Sequence, residues 1–355
     1  LQPIIENSFE HGLQGKTGDG SLWVEFINAV KYCQIIVGDN GEMGIKAAAT
    51  LRLWPQPAEV DYLTFGFETL KDMALAQTAM ARTRMVSEGF GIDRAKAQHS
   101  ASVNRLSDGL KTLGNVASAG KSLLEGVKNA VDIAASGSAF LMKHPYTLHI
   151  VTEARNAAEL KVNVATLKEI GERTGKSLAN SVPKVMRARP FSPVRGMLGL
   201  NGERWVPIHA VFPLGDAGRV VDANEAYFAE RAAEMKEHGI VYTVMTMTVG
   251  NEFFIEPAFY WMDEITPLHE NSLGAEVVKP WRHRAANPQA REAVARLRRG
   301  TQELYASLGG VSWQVARDYP FREILSDGTW SLLCDVKKAV DPRTLMNPGS
   351  LGLTG

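Results

Sequence analysis

YTVMTMTVGNEFFIEPAFYWMDE, residues Tyr242–Glu264, decides how the rest of the chain is read. Two apolar runs rich in Val, Thr, Met, Phe and Ile flank Gly250-Asn251. The segment is therefore a strand, a turn and a returning strand. Upstream, WVPIHAVFPLGD (Trp205–Asp216) is another strand, and ANEAYFAERAAEMKEHG (Ala223–Gly239) is a helix ended by its glycine. Tyr146–Val151 alternates as a strand, and Glu159–Arg173 is an amphipathic helix closed by Gly175. Asp61–Met85 gives a strand and then a helix, with Phe65, Phe67, Leu70, Met73 and Ala76 as its apolar positions. Downstream, Asn287–Gly310 and Thr329–Pro342 are helical. The recurring order predicts an α+β layer over residues 62–281: one antiparallel sheet flanked by helices on one side.

The flanks are less regular. Residues 1–23 have no clear period. Val24–Asp39 mixes a helical pattern with a short apolar run, and Ile45–Leu53 alternates as a strand stopped by Pro55 and Pro57. Residues 96–143 are rich in Ala, Ser, Gly and Lys. Their thin, glycine-interrupted apolar stripe predicts helices lying on the surface of a larger domain.

Composition narrows the function. Lys plus Arg and Asp plus Glu both number 39, so charge gives no reason to expect a nucleic-acid partner. No apolar run approaches the ~20 residues that span a bilayer. Cys33 and Cys334 lie far apart and form no ligand cluster, and the eight histidines show no metal spacing, so no metal is expected. A reducing, cytoplasmic setting fits. Phosphate-gripping GxGxxG and GxxxxGK[ST] motifs and the GxSxG serine are missing from the sequence.

Two stretches carry a family resemblance. GDNGEMGIKAAATLRLWPQP (Gly38–Pro57) resembles the last strand of the FAD-binding domain in the vanillyl-alcohol oxidase and p-cresol methylhydroxylase superfamily. DVKKAVDPRTLMNPGSLG (Asp335–Gly352) resembles the C-terminal helix and turn of that superfamily, which returns to the FAD-binding domain. The middle of the chain, with FFIEPAFYWMDE (Phe253–Glu264), resembles its cap domain, and SWQVARDYPFREIL (Ser312–Leu325) looks like a member's segment too. The resemblance implies remnants of an FAD-binding domain at 1–57, a substrate or cap domain at 62–281, and helices and a turn at 282–355 returning to the flavin domain. It implies an FAD-dependent oxidoreductase, or the larger fragment of one. Its substrate would be an aromatic alcohol, an alkylphenol or a 2-hydroxy acid, oxidised by hydride transfer to flavin. The rival expectation is a non-catalytic subunit that keeps the fold for assembly. The pyrophosphate loop of the family would precede residue 1, so a second polypeptide or N-terminal fragment is expected to complete the FAD site, in an oligomer.

The resemblance directs attention to particular residues. Gly41 and Gly44 in the early turn, and Asn347 and Gly349 in the tail, are the expected cofactor neighbours. Pro348 biases Asn347 toward an extended backbone, while Gly349 is free to take conformations that strain other residues. The 250–260 strand offers no imidazole, and its one phenol is Tyr260, so FAD is expected to be non-covalent. Glu256 lies inside an apolar strand, where a carboxylate needs a partner or a cavity. His209 shares a strand face with Pro207 and Val211, and suits proton transfer near neutral pH or a satisfied core position. Where phenol-oxidising relatives carry a Tyr–Arg pair, this chain has Trp313 and Gln314. Arg317 or Arg322 can grip a substrate carboxylate, or form surface ion pairs, and Tyr319 is either catalytic or a core hydroxyl. The basic clusters around Arg187, Arg189, Arg195, Arg282 and Arg284 are read as a solvated face or a subunit contact.

Overall fold

The computed structural model describes residues 56–99, 142–188, 197–312, 321–323 and 325–353, and the backbone of strands between 24 and 52. The chain divides into two compact units, one of residues 57–311 and one of 1–56 with 312–355.

In the smaller unit, β1 (Val24–Ala29), β2 (Tyr32–Val37) and β5 (Ala49–Arg52) form an antiparallel sheet in the order β1-β2-β5. The short β3 (Asp39–Asn40) and β4 (Ile45–Lys46) pair with each other. The helical pattern expected within Val24–Asp39 is thus corrected to a pair of strands. Val, Ile, Phe and Tyr are β-formers, and cross-strand pairing from Val24↔Val37 to Ala29↔Tyr32 overrides a short-range period. The Ala/Ser/Gly-rich region lies outside the described residues from 100 to 141.

The larger unit is built on one eight-stranded sheet. Its strands are β6 (Glu59–Phe67), β7 (Glu88–Asp93), β8 (Tyr146–Ala154), β9 (Lys176–Ser177), β10 (Arg204–Pro207), β11 (Ala210–Pro213), β12 (Val241–Val249) and β13 (Glu252–Trp261). The order is β10-β13-β12-β7-β8-β6-β9, with β11 also on β13, and all pairs are antiparallel. The α+β architecture read from the sequence is the one observed, with one correction: helices pack on both faces of the sheet and not on one side. The hairpin β12–β13 holds an unbroken register from Val241↔Tyr260 to Val249↔Glu252. Gly250 supplies φ 60 at the first turn position, which a hairpin turn of the II′ kind requires.

Helices α1 (Leu70–Arg82), α3 (Ala157–Glu172), α5 (Ala217–Glu230) and α9 (Pro288–Ser307) belong to the main core. Thr69 caps α1 by accepting from Asp72 N–H, and Asn156 caps α3 in the same way from Glu159. Alternation along the strands sends Leu63, Phe65, Phe67, Leu148, Ile150, Val244, Phe253 and Ile255 into this core, where they meet Leu70, Met73, Met80, Leu167, Val220 and Tyr305. Gly171 of α3 has no alternative: a Cβ there would stand 2.5 Å from the Phe65 ring. The opposite sheet face carries a smaller cluster of Ile92, Ala97 and Val182, contributed by β7, α2 (Arg94–His99) and α4 (Ser181–Ala188).

Polar groups fasten the helices to the sheet. Asp263, fully buried just after β13, accepts from Trp261 Nε1, from the N–H groups of Glu264 and Asn287, and from Arg291 through two nitrogens. Those contacts, the Arg291 hydrogen bonds foremost, hold its carboxyl well below the usual range despite burial. The Asp263 contacts bind the start of α9 to the end of β13. Arg187 pairs with Glu88 and Glu153, Arg282 with Glu270, and Arg284 donates to the carbonyls of Asn201 and Gly202. Those three arginines therefore have internal partners. Deeper in the core, Tyr305 Oη donates to Asn224 Oδ1 and Asn224 Nδ2 donates to Tyr242 Oη, each at 2.7 Å. Tyr305→Phe leaves the Asn224 carbonyl oxygen without that donor in a dry site. We expect a loss of about 1–3 kcal/mol in denaturant unfolding, with the far-UV spectrum unchanged.

Candidate functional site

The site is built outward from β13. Phe254, Glu256, Ala258 and Tyr260 share the sheet face away from the main core, because Phe253 and Ile255 face into it. Pro257 stands between them. Its carbonyl accepts from Ile208 N–H at 2.9 Å, so its missing N–H lies on the side of the β10–β11 segment. The ladder breaks there, while the β12 side stays continuous. The single strand expected at Trp205–Asp216 is corrected to two, β10 and β11, with Ile208-His209 at the break. Register is kept across it: Pro207 lies opposite Ala258 and Ala210 opposite Ile255. His209 therefore faces Glu256 from the neighbouring strand segment, on the same face. His209 is buried, with its ring 5.2 Å from that of Phe254.

Helix α2 supplies what the sequence reading missed. Asp93 ends β7 and opens α2, accepting from Lys96 N–H at 2.6 Å and from Val244 N–H at 2.9 Å. Burial pushes its carboxyl up to about 7, against the pull of those two donors and of the Lys96 charge. Lys96, one helical turn on, is 8 % exposed. Its Nζ lies 4.8 Å from the Trp205 ring centre and 5.9 Å from that of Tyr260. Trp205 and Tyr260 are directly paired across β10–β13. Burial lowers the Lys96 ammonium, and the Glu256 and Asp93 charges oppose that fall. Trp205 Nε1 is buried without a hydrogen-bond partner, and His99 packs 5.5 Å from the Tyr260 ring. Further along the face, His149 sits between the hydroxyls of Thr64 and Thr147, and burial lowers it to about 3, which marks a neutral core histidine.

Of the expected site residues, Glu256 and His209 fall at facing register positions of adjoining strand segments. Trp313, Gln314, Arg317, Tyr319, Gly41 and Gly44 lie outside the described residues. Arg322, Asn347 and Gly349 belong to the smaller unit. Arg322 donates to Asp327 at 2.7 Å and stands over the Trp330 ring near the start of α10 (Asp327–Val340). Trp205 was legible as a companion of His209, since 205, 207 and 209 share one parity. The burial of Lys96 carried no local signal, because the segment around it is polar and alanine-rich.

The tail turn is organised by one carboxylate. Asp341 Oδ1 and Oδ2 accept from the N–H groups of Leu345 and Met346, and Lys337 Nζ donates to Asp341 and to Met346 C=O. With residue 346 held at both ends, the chain turns back at once. Asn347 takes φ 43 and Gly349 φ 81. The extended backbone expected of Asn347 is corrected accordingly; asparagine tolerates the left-handed region better than most residues. The Lys337 hydrogen bond, then those from Met346 and Leu345, hold Asp341 down at about 2. A depressed carboxyl stabilises this turn above its unfolded pKa and loses that effect as pH falls through the folded one. The amide signals of Leu345 and Met346 should therefore titrate near pH 2 by NMR, not near 4.

No family model matches the sequence, and no curated protein matches it. The likeness is to solved structures. A p-cresol methylhydroxylase with substrate bound superposes at TM-score 0.55 and 14% identity, over 88% of this chain and 56% of its own. A 4-ethylphenol oxidase from Gulosibacter chungangensis in complex with isoeugenol gives 0.54 and 13%, over 88% and 57%. An alkyldihydroxyacetonephosphate synthase gives 0.50 and 13%, over 87% and 47%. The chain thus spans about half the length of these proteins. Its fold is the one these solved structures share over the matched part, an antiparallel sheet flanked by helices. Among the described residues, no helix is long and apolar enough to cross a membrane, and no cluster of three acidic, His or Cys ligands is found.

Proposed function

We propose that this chain is the cap-bearing part of an FAD-dependent oxidoreductase that oxidises an aromatic alcohol, an alkylphenol or a 2-hydroxy acid. The observation that carries the reading is the sheet face on which His209, Glu256, Lys96, Trp205 and Tyr260 converge in a fold shared with flavin enzymes. The residues present fit the reacting end of such a cofactor. Flat side chains with ionisable groups set between them offer a ring and its substrate a dry, polarisable wall. FAD, when bound, supplies the hydride acceptor. His209 takes the proton of the substrate hydroxyl on an imidazole nitrogen, and Glu256, on the facing strand, balances the charge that results. Among the described residues no cradle for a pyrophosphate is found. The reading assigns that task to Gly41, Gly44, Asn347 and Gly349 with a further segment or second polypeptide, in an oligomer.

Attachment is non-covalent in this reading. Strand β13 has no histidine, and Tyr260 is buried against His99. A cytoplasmic setting agrees with the free thiol of Cys334. Acid precipitation of the purified assembly should release FAD to the supernatant. Flavin that stays with the 38.8 kDa chain on a denaturing gel would refute non-covalent binding, and a colourless assembly would refute the flavoenzyme itself. With flavin content held equal, Glu256→Gln and His209→Gln should each lower kcat/KM by about 10²-fold or more.

A further inference from the structure

Lys96 is an unusual cation. It is nine-tenths buried, yet among the described residues its Nζ has aromatic faces as near neighbours and no hydrogen-bond acceptor. A buried ammonium carries three donors, and leaving them unmet is costly. The other buried lysine, Lys337, shows the satisfied arrangement, with a carboxylate and a carbonyl each at 2.7 Å. The contrast is between a structural lysine and one with open valences. An unmet donor lies beside it: Trp205 Nε1, buried and unpartnered, belongs to the ring over which Lys96 stands. Trp205 is in turn paired across the strands with Tyr260. A buried cation, one orphan N–H donor and two aromatic faces at one end of the candidate site match one ligand chemistry, a small aromatic anion. Its charged oxygens would take the Lys96 and Trp205 donors, and its ring would lie against the aromatic side chains.

Two alternatives elsewhere carry less. In the cleft lined by Tyr227, Arg231, Glu234 and Arg296, the charged groups pair with one another and with the Tyr227 ring. The exposed stripe Leu332, Val336 and Val340 on α10 has nothing on it that indicates an occupant.

We infer that Lys96 and Trp205 form the anion-holding end of the substrate site, so that the substrate enters as a carboxylate or phenolate whose charged group docks at α2 and β10. This rests on the proposed placement of the substrate on this sheet face, and it makes Lys96 a specificity-determining residue. An anion docked there offsets the buried ammonium, and the Asp93 and Glu256 carboxylates select against a second negative group on the ligand.

The test uses the full assembly, with benzoate as the anionic probe, phenol titrated to its phenolate as a second, and benzyl alcohol as the neutral control. Binding is read by calorimetry and by quenching of tryptophan fluorescence. Lys96→Met should weaken benzoate by tenfold or more and leave benzyl alcohol within twofold. A methionine of similar volume suits a buried position, and a melting curve checks that the fold persists. Trp205→Phe keeps the ring and removes the N–H, and should weaken benzoate by severalfold. Equal losses for benzoate and benzyl alcohol in Lys96→Met would overturn the proposal, as would wild-type protein that binds neither anion better than the alcohol. Benzoate relative to phenolate then shows which oxygen anion the site prefers. Acid-released flavin is measured on the same samples. Lys96-dependent benzoate binding without flavin would leave the anion site standing and sink the flavoenzyme reading. Flavin without Lys96-dependent binding would do the reverse.

Discussion

Pro257 has no N–H to give, and the strand that carries it is buried on both faces. A strand in that position needs partners on both edges and apolar neighbours above and below. β12 satisfies one edge along its full length. On the other, the missing donor splits the ladder into β10 and β11 without changing register. One face of β13 then completes the main core through Phe253 and Ile255, while the other presents Phe254, Glu256 and Tyr260. The same strand thus anchors the fold and lines the candidate site, so the positions of Glu256 and His209 are as rigid as the core beneath them.

Charge is handled in two ways. Asp263 and Asp341 gather donors until their carboxylates are comfortable as anions, and each then serves as a fastener: one joins β13 to α9, the other closes the tail turn. Asp93 and Lys96 are treated differently. Both are buried at the junction of β7 and α2, Asp93 raised and Lys96 lowered by desolvation, and neither reaches the full complement of partners that the fasteners have. Ionisable groups kept in that condition are expensive to fold, and that cost sets this pair apart from the two fasteners.

The alternation of β12 and β13, the turn at Gly250-Asn251 and the capped helices were legible because each depends on neighbours within a few residues. The shared face of His209, Pro207 and Val211 was legible too, once the strand was assigned. The strand pair of Val24–Asp39 was misread because its short-range period is compatible with a helix until β1 and β2 pair. Asn347 was misread because the restraint from Pro348 is local, whereas Asp341 and Lys337 pull the chain round from a helix away.

The sequence by itself determined the layer type and the hairpin of β12 and β13. These follow from periodicity and turn chemistry, which are properties of contiguous residues. Tertiary structure alone decided which strands lie side by side, that the β10–β11 segment faces β13, and that α2 lays Lys96 over Trp205 and Tyr260 from more than a hundred residues away. Burial of a charge is a property of what packs around it, and nothing in the six residues of α2 states what that will be.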